Sequence, residues 1–266
     1  MLRYRLLLSA LAMVTALTLV SCAKEVGETN EEIQARVLDS WINVKHPGSE
    51  KTSSGLYVLD YLEGTGRKVT DSSYVFVKYT VRELSGNIVA TNDKAVSEQL
   101  GKFSYSSHYG FNIWRVDQDA LYAGVEEILK RMRVGGRATV AFTPALATLS
   151  VTIYSLFSSL DGTVPLIFEL DLLDCVENIY TDYEEPMLRL YSEKYYGGLD
   201  TIKRGFYFAK IKEVPAEDSI PMEAQVKIRY IGHLLDGVVF DTNIQDTAKR
   251  YRIYDSKVIR GNGYHI

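Results

Sequence analysis

YIGHLLDGVVFDTN, Tyr230 to Asn243, reads as strand, turn, strand. Upstream of it, Val226, Ile228 and Tyr230 alternate with Lys227 and Arg229, the period of two expected of a half-buried strand. Leu235-Asp236-Gly237 supplies the turn, with a glycine free to adopt positive φ. Val238, Val239 and Phe240 resume the strand, and Asp241 follows at once. A tyrosine, a phenylalanine and a carboxylate are thereby expected beside one apolar patch.

Tyr230, Gly232, Leu234, Asp236, Gly237, Phe240 and Asp241 stand at the spacing Tyr-x-Gly-x-Leu-x-Asp-Gly-x-x-Phe-Asp. This resembles the signature of the FKBP family of peptidyl-prolyl cis-trans isomerases. The resemblance implies an α+β fold, a bent antiparallel sheet wrapped on one helix. It also implies an aromatic pocket that accepts proline-containing polypeptide segments and uses no cofactor or metal.

The same pattern recurs earlier in the chain. Tyr79 and Tyr230 lie 151 residues apart, as do Gly86 and Gly237, and SGLYVLDYLEG from Ser54 parallels RGFYFAKIKEV from Arg204. An amphipathic helical stretch precedes each copy, Glu31 to Val44 and Glu184 to Lys194. Self-similarity at this period denotes two copies of one domain, not a solenoid. The expected division is residues 1–22 as a leader, 23–53 as tether and helix, 54–176 as the first copy, 177–203 as a linker with helix, and 204–266 as the N-terminal half of a second copy.

In the first copy, strands are expected at Gly55–Leu62, Tyr74–Arg82, Asn87–Ala90, Arg137–Thr143 and Pro165–Leu173. Between them, Leu121 to Met132 reads as a helix with Val125, Ile128, Leu129 and Met132 inward, ended by Gly135-Gly136. AGVEEILKRMRVGGRATVAFTP resembles the family's helix, glycine turn and following strand. In the second copy, too few residues follow Asp241 to form that helix and the last strands.

Carried over position by position, the resemblance assigns Tyr230, Phe240 and Asp241 to catalysis in the second copy. Val258 and Ile259 match the start of the family's helix, and Asn262 stands where the family has tryptophan. In the first copy Tyr79 matches, whereas Val89 and Ala90 replace the phenylalanine and the aspartate. Leu121 and Tyr122 stand at the family's apolar pair, Val125 replaces the floor tryptophan, Thr148 lies near a wall tyrosine, and Phe168 matches a phenylalanine of the last strand. Asp93 is the nearest substitute carboxylate. Asp241 itself is expected to face solvent, its partners being absent from the half copy. Two function classes follow: a prolyl isomerase, and a peptide-binding chaperone or adaptor without catalysis. A structural lipoprotein without peptide partner is a third class.

At the N-terminus, Arg3 and Arg5 precede a predominantly apolar run, Leu6 to Val20, shorter than the roughly 20 residues a spanning helix needs. Leu19-Val20-Ser21-Cys22 then resembles a bacterial lipobox, in which the cysteine is lipidated. The expectation is export and anchoring in the cell envelope through lipid on Cys22, on the periplasmic or surface face of the outer membrane. With Cys22 lipidated, Cys175 has no disulfide partner and reads as a small core residue. The four histidines show no metal-ligand spacing, and a net charge of −4 gives no basic face for nucleic acid.

Overall fold

The computed structural model describes residues 28–105, 107–116, 121–147, 164–199, 201–212, 220–221 and 223–253. Its centre is β3 (Tyr74–Glu83), whose odd-numbered valines are apolar and β-branched. Val75, Val77 and Val81 are fully buried on one face. β3 pairs along its length with β7 (Leu166–Val176). Its other edge pairs with β5 (Asn112–Arg115) at one end and β4 (Ile88–Thr91) at the other. On the far side of β7 follow β6 (Arg137–Phe142), β2 (Tyr57–Leu62) and the short β1 (Glu50–Lys51). All seven strands pair antiparallel. The chain is thus α+β with an antiparallel sheet; β1 and β5 are strands not expected from periodicity.

A helix covers each face of this sheet. α1 (Asn30–Lys45) starts at a capping box, in which Thr29 and Glu32 satisfy each other's backbone amides. Its Leu38 and Ile42 are buried against Tyr57, Ala141 and Ile167. Trp41 Nε1 donates to Leu84 O at 3.0 Å, tying the helix to the end of β3. Val37, next to Leu38 on the same helix, is 42% exposed. The other face receives α3 (Ala123–Arg131), the helix expected from spacing. Val125, Ile128, Leu129 and the following Met132 are fully buried there. Gly124 permits the seating: a Cβ on it would lie 2.8 Å from the Phe142 ring. Phe142 stacks on Phe168 at 5.0 Å. Cys175 is buried in this core, which pushes its thiol pKa up.

Between β4 and β5 lies α2 (Lys94–Gln99), unexpected from the sequence. Asp93 is its N-cap, accepting from Val96 N at 2.9 Å. After β7 a π-helical turn (Tyr180–Glu184) leads into α4 (Glu185–Tyr196), which ends on Gly197 in the left-handed region. The remaining elements are β8 (Thr201–Lys203) with β9 (Phe206–Tyr207), β10 (Ile231–His233) with β11 (Val239–Thr242), and α5 (Gln245–Tyr251). The strand expected over Val226 to Tyr230 begins only at Ile231. The matching stretch of the first copy is held by β7 and β5; residues 224–230 belong to no ladder.

Candidate functional site

The hairpin of the second copy closes as its turn chemistry requires. Gly237 takes φ +90°, its N–H donates to Leu234 O at 2.9 Å, and Asp236 Oδ1 accepts from Val238 N at 3.0 Å. Gly232 then pairs with Asp241 and His233 with Val239, which leaves Phe240 as the extra residue of a bulge. The Phe240 ring lies over Gly232, where a Cβ would come within 2.9 Å of its Cζ. It nevertheless remains 55% exposed. Asp241 is half-buried, and its Oδ2 accepts the Tyr230 hydroxyl at 2.8 Å. The expectation that Asp241 faces solvent for want of partners is therefore corrected: its partner comes from its own hairpin.

Tyr230 is held by two residues that the sequence reading passed over. Its N–H donates to Asn243 Oδ1 at 3.0 Å, and the Thr242 hydroxyl donates to its carbonyl at 2.7 Å. Asn243 Nδ2 also donates to Ile228 O at 2.7 Å. Each bond recurs 151 residues earlier. Tyr79 N donates to Asn92 Oδ1 at 2.8 Å, the Thr91 hydroxyl to Tyr79 O at 3.1 Å, and Asn92 Nδ2 to Val77 O at 2.9 Å. The bulge recurs too, between Val81 and Arg82 in one copy and Gly232 and His233 in the other. A Thr-Asn pair at both 91–92 and 242–243 was the available signal.

The first copy keeps this backbone and changes what it carries. The half-buried Tyr79 ring packs against Trp114 at 5.4 Å, and burial pushes its phenol pKa up. Tyr79, Val89 and Ala90 line a cleft of about 310 Å³ together with Lys102, His108 and Tyr109. The other expected wall and floor residues lie elsewhere. Leu121, Tyr122, Val125 and Phe168 are all buried in the core, with Tyr122 edge-on to Phe168 at 5.9 Å. Asp93 caps α2. Cys22, Thr148, Val258 and Ile259 lie outside the described residues.

No protein-family model matches the chain, and no curated protein matches it. Among solved structures it is similar to FkpA from Escherichia coli, at 22% identity over 65% of this chain and 70% of that one, with a TM-score of 0.38. A peptidyl-prolyl cis-trans isomerase from Pseudomonas syringae pv. tomato is matched at 18% identity over 56% of this chain and 97% of that one, with a TM-score of 0.38. The three FKBP domains of wheat FKBP73 are matched at 19% identity, covering 46% of each chain, with a TM-score of 0.31.

Proposed function

We propose that this chain is an exported, lipid-anchored protein of the FKBP type, with two tandem copies of one domain. In this reading the second copy carries peptidyl-prolyl cis-trans isomerisation, and the first binds polypeptide. The observation that carries the proposal is the Tyr230–Asp241 hydrogen bond beside the open Phe240 ring.

Rotation about an X-Pro bond faces a barrier of roughly 18–20 kcal/mol from amide resonance. The planar amide is more polar than the twisted one, so an apolar, aromatic surface favours the twisted form in relative terms. No nucleophile is required. Phe240 offers the aromatic surface, and the paired Asp241 keeps acceptor capacity to orient a substrate amide. The first copy retains Tyr79 but has Val89 and Ala90 at the other two positions. That loss favours binding without catalysis there, as in a chaperone or adaptor.

The direct test is acceleration of cis/trans exchange in a short X-Pro peptide by the full chain. Acceleration lost in Phe240→Ala supports the assignment. No acceleration, combined with suppression of aggregation, would leave the chain a binding protein only. The anchor is tested by Cys22→Ser, which should release the mature chain to the soluble fraction and abolish acyl labelling. Unchanged membrane association would overturn it.

A further inference from the structure

The cleft at Tyr79, Val89 and Ala90 differs from the second copy's hairpin in charge. No carboxylate lines it among the described residues. Ala90 stands where the second copy has Asp241, and Lys102 stands where it has Ile253. Those last two positions are structurally equivalent: Lys102 N donates to Ser97 O and Ile253 N to Ala248 O, both at 2.9 Å. Lys102 is exposed, its Nζ 3.4 Å from Ile88 O. His108, a second nitrogen base on the cleft, already has a carboxylate beside it. Its Nδ1 lies 2.8 Å from Asp236 Oδ2, a close approach without hydrogen-bond alignment, with both side chains partly buried. Asp236 belongs to the hairpin turn of the second copy. α5 of the second copy reaches the same loop, with Tyr251 edge-on to Tyr105 at 6.4 Å.

We propose that the cleft of the first copy binds a carboxylate-bearing segment of an extended polypeptide, and that Asp236 is the resident competitor for it. The proposal rests on the peptide-binding reading of that copy. With Asp236 undocked, a concavity lined by Lys102 and His108, and by no acid among the described residues, attracts anions. An incoming carboxylate would meet the Lys102 ammonium and take Asp236's place at His108, so that ligand binding and undocking of the second copy's turn are one event.

The test is fluorescence anisotropy of the full chain with two blocked, rhodamine-labelled hexapeptides that differ only in a central Glu or Gln. The Glu peptide should bind about three- to five-fold tighter, the worth of a partly exposed ion pair. Lys102→Gln should erase that preference and Lys102→Arg preserve it. Asp236→Asn should tighten binding of the Glu peptide several-fold, leaving the Gln peptide unchanged. Equal affinity for the two peptides, or a preference that survives Lys102→Gln, would overturn the carboxylate site while leaving peptide binding intact. Failure of Asp236→Asn to tighten the Glu peptide would overturn the competition. Binding of neither peptide would sink the peptide-binding reading itself.

Discussion

The Tyr230 hydroxyl reaches Asp241 Oδ2 at 2.8 Å, and 151 residues earlier Tyr79 stands in the same backbone frame with Ala90 in the aspartate's place. The two stretches thus share a local hydrogen-bond frame and differ in the residue that stands 11 positions after the tyrosine, Ala90 in one and Asp241 in the other. Asp241→Asn should slow proline isomerisation about ten-fold, the effect of weakening one charge-assisted hydrogen bond at the site. Unfolding in urea should shift by only about 0.5–1.5 kcal/mol. Unchanged exchange rates would reduce the aspartate to a strand-end residue.

The Phe240 ring lies over Gly232, and the positions 151 residues earlier hold Val89 and Val81. Val89→Phe alone pushes a ring toward fully buried Val81 and should cost about 1–3 kcal/mol. Adding Val81→Gly should recover part of that loss, with a coupling of about 0.5–3 kcal/mol in a urea double-mutant cycle. Additive effects would show that the bulge orients its residue differently in the first copy.

Asn92 is 3% exposed and satisfies both the Tyr79 N–H and the Val77 carbonyl. Asn92→Ala should leave both groups without a partner, at about 1–3 kcal/mol each. Asn243→Ala should cost less, because its bond to Ile228 lies in exposed chain. Chemical denaturation followed by Trp fluorescence distinguishes the two.

Glu177 accepts hydroxyl hydrogen bonds from Ser72 at 2.6 Å, Ser73 at 2.8 Å and Thr70 at 2.9 Å. The Ser72 bond is foremost among the three in holding its pKa below the ordinary glutamate value of 4.5. A carboxylate depressed in the folded state stabilises above its unfolded pKa and ceases to do so as pH falls through the folded one. Acid unfolding monitored by circular dichroism should therefore be less steep below pH 4.5 in Glu177→Gln. An identical acid limb in both proteins would show that this latch does not contribute.

Much of the first copy was legible without coordinates. The alternation Val75, Val77, Val81 is enough to specify β3, and the spacing Val125, Ile128, Leu129 is enough to specify α3, because both periods are properties of the backbone alone. The turn at Asp236-Gly237 follows equally locally from positive φ. Partnership was not legible. Residues 224–230 alternate as a strand should and join no ladder, since a strand is defined by the neighbour it pairs with. Leu121, Tyr122, Val125 and Phe168 carry residue types suited to a pocket, yet packing buries all four. Asp241 and Asn243 found their partners only once the hairpin and its bulge brought Tyr230 back beside them. Sequence determines which groups can donate, accept or pack; which of them meet depends on distances between segments that no local period encodes.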